Sequence, residues 1–111
     1  VVLGNLDDTT SDEATMALLE AAFQSHGYSV ARNDPFKGVE IIRNSGSPAQ
    51  AWHSVQIEVK RSLYMDTQFQ PVAGFARLQA AIDTALQAVA DHARRHGAAS
   101  PPSPPPAASA P

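Results

Sequence analysis

Apolar positions recur along the chain with two different periods, and each change of period marks an element. Val1-Val2-Leu3 is a short apolar run closed by Gly4-Asn5, which predicts a buried strand. After a loop rich in Asp and Thr, Met16, Leu19, Ala22 and Phe23 repeat at helical spacing. Thr10 is followed three residues later by Glu13, the spacing of a capping box, so the pattern predicts an amphipathic helix from Thr10 to His26. Gly27 is placed to end it, because a residue without Cβ takes the left-handed cap at no steric cost. Tyr28 to Arg32 alternates and predicts a second strand. Asn33 to Pro48 is punctuated by Pro35, Gly38 and Gly46 and predicts a long irregular loop, a feature more often functional than idle. His53 to Lys60 predicts a third strand, with Val55, Ile57 and Val59 on one face and Ser54, Gln56 and Glu58 on the other. Phe75, Leu78, Ile82, Leu86 and Val89 mark a long helix ending near His96, with Gly97 as its cap.

Strand, helix, strand, loop, strand, helix is an α/β pattern. The two helices are expected to flank a small sheet and to bury Leu19, Phe23, Leu78 and Ile82. Residues 1–97 form one small domain on this reading. The tail from Ala98 to Pro111 is only Ala, Ser and Pro, has little to bury, and is expected to be disordered.

Composition narrows the functional classes. The net charge of -3 gives no basic face for nucleic acid. No apolar run approaches the ~20 residues that span a bilayer, so no membrane partner is expected. The absence of Cys removes disulfides and thiolate metal sites and fits a cytoplasmic location. The chain starts at Val1 inside a strand, without an initiator Met or the shape of a signal peptide, which predicts a piece of a longer protein.

Three places carry candidate chemistry. Glu58 is a carboxylate within a Val/Ile-rich strand, costly to bury unless paired or used; alternatively it belongs to the wet face of an edge strand. In Asn33-Asp34-Pro35-Phe36-Lys37-Gly38, the Asn can hold a carboxylate or an oxyanion and the Gly admits a ligand close to the backbone; alternatively the segment is a Pro-containing turn that caps itself. His92 and His96 have a metal-chelating spacing on a helix, but with Arg94 and Arg95 they are explained by the helix dipole, as is His26. No metal is assigned to them. His53, which opens the Glu58 strand, is the histidine nearest plausible chemistry.

The run Asn33 to Gly38, then Ile42-Arg43, then His53-Ser54-Val55-Gln56-Ile57-Glu58-Val59-Lys60-Arg61-Ser62-Leu63-Tyr64-Met65-Asp66, resembles the C-terminal part of the N-formylglutamate amidohydrolase family. The opening Val1 to Leu6 is similar to that family's strand ending in Gly-Asp. The resemblance implies a fold like that of zinc carboxypeptidases and aspartoacylases, a mostly parallel mixed sheet between helices. It implies zinc or another divalent metal, held by two His and one acidic residue upstream of Val1, in the missing N-terminal half of the same domain. It implies that Glu58 is the catalytic carboxylate and that Asn33, Arg43 and Arg61, with His53 beside them, serve the substrate carboxylate. The reaction implied is hydrolysis of the amide bond of N-formylglutamate or a related N-acyl amino acid. Departures from the family pattern fall at Gly38-Val39, at Arg43-Asn44-Ser45-Gly46 and at Lys60, in the substrate loop and beside the catalytic strand. Two other readings fit this ancestry: a non-catalytic remnant that binds a partner, and an aspartoacylase-like hydrolase of another N-acyl amino acid.

Overall fold

The computed structural model describes residues 1–96. The elements run β1 (Val2–Gly4), α1 (Glu13–Ser25), β2 (Ala31–Arg32), α2 (Glu40–Ser45), β3 (Gln56–Glu58) and α3 (Gly74–His96), with 3-10 turns at Pro48–Gln50 and Arg61–Leu63. The expected tail and the Gly97 cap lie outside the described residues.

β1 is the central strand of a three-stranded sheet ordered β2-β1-β3. β2 runs parallel to it, with Val2 opposite Ala31, and α1 supplies the crossover that a parallel pair requires. β3 runs antiparallel, with Val2 opposite Glu58 and Gly4 opposite Gln56. The sheet is therefore mixed, with one pairing of each kind rather than the mostly parallel arrangement expected.

Both long helices lie on one face of this sheet instead of flanking it. Leu3 and Ile57 are cross-strand partners and so point the same way. Both join one apolar cluster with Met16, Leu19 and Phe23 of α1 and Leu78, Ala81 and Ala85 of α3. Val55 and Val59 pack against that cluster too, so the expected facing of the third strand holds, although only Gln56–Glu58 is paired. The stripe that α3 buries is only partly the large-residue stripe: Leu78 and, in part, Ile82 and Val89 belong to it, but Ala81 and Ala85 join them in place of Phe75 and Leu86. Leu78, Ala81 and Ala85 are buried, Ile82 is partly buried, and Phe75 and Leu86 are 40% and 56% exposed. Alanines let the two helix backbones approach closely, which a row of large side chains would prevent.

The cap of α1 also differs from expectation. Asp12, not Thr10, is the N-cap, its carboxylate accepting the Thr15 N–H at 2.9 Å. Thr10 is committed elsewhere: its hydroxyl donates to the Ser54 carbonyl at 2.7 Å, and Ser54 N–H donates back to Thr10 O at 2.8 Å. These bonds tie the start of α1 to the approach to β3. At the other end, Gly27 takes the predicted left-handed turn, at φ 84°. Arg77 of α3 donates twice to the His26 carbonyl, at 3.0 and 2.8 Å, satisfying an acceptor that the ended helix leaves free.

The long loop is less irregular than its punctuation predicts. It holds α2, six residues with Ile42 buried, too short for a periodic pattern to reveal. The second strand is likewise shorter than Tyr28 to Arg32, because Tyr28 turns inward against Phe23, ring centroids 6.4 Å apart.

Candidate functional site

The face of the sheet opposite the helices carries Glu58. Strand alternation places Val2, Gly4, Gln56 and Glu58 together on it. Glu58 is exposed at the end of β3, and Gln56 donates its Nε2 to Glu58 Oε1 at 2.7 Å. The Asn33–Gly38 segment crosses the same face. A Cβ on Gly4 would lie 2.7 Å from the Lys37 backbone, so glycine is required for that crossing. The catalytic candidate and the candidate substrate loop thus share a face.

The other candidates are spread out. Asn33, at φ 56°, spends its side chain on the turn after β1. Its Oδ1 accepts from Asn5 N at 2.9 Å and Asp7 N at 3.3 Å, and its Nδ2 donates to Asn5 Oδ1 at 2.9 Å. Arg43 stands exposed on α2 and pairs with Glu40 at 3.1 Å. Arg61 lies over the Phe69 ring, 5.1 Å from its centroid. His53 Nδ1 accepts the Asp12 backbone N–H at 3.1 Å, and its Nε2 lies 3.6 Å from Asp12 Oδ2. Among the described residues, none of these four is ion-paired or hydrogen-bonded to Glu58.

Two features escape sequence reasoning. Asn5 is completely buried and is a hub: its amide donates to Ser11 at 3.1 Å and Asp8 at 3.3 Å, and its Oδ1 accepts from Asp8 N at 2.9 Å and from Asn33. It holds Leu6, Asp7 and Asp8 in three successive left-handed conformations, a cost that only a fully satisfied network offsets. The Gly-Asn pair ending an apolar strand is its one sequence signal. Arg32 is the second, clasping Glu13 at 2.6 Å and Glu20 at 2.5 Å from β2. The hydrogen bonds that its guanidinium donates to these two carboxylates raise its already high pKa.

Burial works against the charge of Asp12, but the Thr15 hydrogen bonds and the neighbouring His53 outweigh it and hold the carboxyl below its ordinary range. The Lys37 ammonium is raised by its 2.8 Å bond to Asp7.

A cavity of about 770 Å³ opens on the helix side, between Leu19 of α1, Val55 and Ile57 beside β3, and Val89 of α3, with Asp12, His53 and His92 at its polar end. It lies across the sheet from Glu58 and so is separate from the candidate chemistry. Among the described residues no group of three His, Asp or Glu side chains is placed to hold a metal ion. None of them is therefore placed to ligate the expected zinc, whose ligands the family resemblance puts upstream of Val1. No helix among them is long and apolar enough to cross a membrane.

The profile of the N-formylglutamate amidohydrolase family matches residues 1–65. Among curated proteins, the N-formylglutamate deformylase of Pseudomonas aeruginosa is 42% identical over 67 residues, covering 60% of this chain and 25% of that protein. The Pseudomonas putida N-formylglutamate deformylase is 35% identical over 65 residues, covering 58% and 24%. The solved N-formylglutamate amidohydrolase of Ralstonia eutropha superposes with a TM-score of 0.74 at 40% identity, over 85% of this chain and 34% of that one. The chain spans about a quarter of the length of the curated relatives it matches.

Proposed function

The chain belongs to the N-formylglutamate amidohydrolase family, and from that premise we propose that it is the C-terminal part of a metal-dependent hydrolase that cleaves the amide bond of N-formylglutamate or a related N-acyl amino acid. The observation that carries the reading is Glu58: a carboxylate exposed at the end of β3, within the matched residues, on the face that the Asn33–Gly38 loop also crosses.

In this reading Glu58 takes a proton from the attacking water and returns it to the leaving amine. Arg43 and Arg61 are the candidates to pair with the substrate carboxylate, since a guanidinium matches it bidentately. Each has a present partner, Glu40 and the Phe69 ring, that it would release or share. In this reading Asn33 serves by fixing the loop and His53 by fixing the start of α1, each supporting the substrate contacts from behind. Zinc or another divalent ion would be held by residues of the remaining part of the same domain, which is the partner this segment requires.

The experiment is a panel of N-acyl amino acids offered to the longest natural polypeptide that carries residues 1–111. N-formylglutamate turnover supports the reading, and preference for another N-acyl group assigns the aspartoacylase-like alternative. Failure to turn over any of them sinks the catalytic reading. It would leave the non-catalytic one, which the engagement of Asn33's side-chain oxygen and nitrogen in the fold favours.

A further inference from the structure

We infer that Gln56 is the positioning residue of the Glu58 carboxylate, an inference that rests on the catalytic reading of Glu58. Strand geometry puts residues i and i+2 on one face about 6.6 Å apart, within reach of two long side chains. The side chains meet, with Gln56 Nε2 2.7 Å from Glu58 Oε1. An ionised carboxylate only accepts, so the amide must present its nitrogen, and the orientation of Gln56 follows from the chemistry of its neighbour.

The consequence is geometric. An exposed Glu at a strand end is otherwise free to rotate about its side-chain torsions. One amide N–H on Oε1 fixes the carboxylate plane and leaves Oε2 as the oxygen free to take a proton. The donor is neutral, so it orients the base without cancelling its charge, as a Lys or Arg at that position would. Among the described residues Glu58 has no ion pair, so the orienting contact comes from within β3.

Two measurements test this. In the 111-residue chain, the side-chain amide resonances of Gln56 should shift as carboxylates titrate, and the shift should vanish in E58Q. Resonances that ignore pH, or that move equally in E58Q, overturn the proposal without reference to activity. In the catalytic polypeptide, Q56M keeps length and removes the donor. Loss of orientation should lower kcat about tenfold with KM within about twofold. The same substitution made in E58Q should cost nothing further, because a residue that acts through Glu58 has nothing left to act on. A Q56M enzyme with normal kcat, or an equal loss in the E58Q background, refutes the positioning role. Normal kcat in E58Q alone removes the role of Glu58 itself, a distinct result.

Discussion

Glu58 and Asp12 are both carboxylates at the end of an element, and they are put to different uses. Glu58 is exposed with one neutral donor beside it. In the catalytic polypeptide, Glu58→Gln should lower kcat by ~10²–10⁴-fold and leave KM nearly unchanged, because Gln keeps size and polarity but cannot carry a proton. Steady-state kinetics beside metal analysis checks this. Asp12 is a structural anion, bonded to Thr15 N–H and close to His53. Asp12→Ala should cost ~0.5–2 kcal/mol of stability at neutral pH, read from urea unfolding. The pH dependence follows from the depressed folded-state pKa. The charge contribution is complete above the ordinary value of 3.8 and disappears as pH falls through the lower folded value. Asp12→Asn, which still caps but cannot ionise, should therefore lose less stability than wild type as pH falls from neutral past 3.8 and through the lower folded value. Equal acid sensitivity of the two proteins would contradict the assignment.

For whole elements, order and the facing of the third strand are legible in the sequence, whereas length, partnership and the buried face of α3 are not. Period two gives the facing of Val55, Ile57 and Val59, and Gly27 gives the end of α1, because both are properties of the local backbone. The Thr10–Glu13 capping box misleads because Thr10 finds a distant partner in Ser54, which local spacing cannot reveal. The α3 stripe misleads for a similar reason. Helical periodicity permits several faces, and the one chosen depends on how closely α1 approaches, which favours Ala81 and Ala85 over Leu86. The difference is measurable. Ala81→Leu should destabilise the chain by about 1–3 kcal/mol through overpacking, while Leu86→Ala should stay within about 0.5 kcal/mol. The reverse ranking in denaturant melts would restore the large-residue stripe. The sequence singles out the Glu58 strand and the Asn33–Gly38 loop, but that they share a face, and that Asn33 and His53 are committed to the scaffold, required three-dimensional neighbours to see.

As a whole, the described molecule is a mixed sheet with helices on one side and its candidate chemistry on the other. Large apolar side chains stand open to solvent, Ile41 at 72% and Phe69 at 62%. With no three-ligand group among the described residues, the 111-residue chain alone should show no amidohydrolase activity and retain no stoichiometric zinc after dialysis. One tightly held zinc per chain, counted by elemental analysis, would overturn that expectation.

The packing of α1 against α3 also sets an order of events during synthesis. α1 ends at Ser25 and α3 begins only at Gly74, yet their side chains share one core. When β1, α1 and β2 have left the ribosome, Met16, Leu19 and Phe23 still lack the helix that covers them. A nascent chain in that condition exposes apolar surface that is prone to aggregate until α3 arrives. Closing so large a loop before the contacts reward it also slows folding relative to a hairpin of adjacent helices.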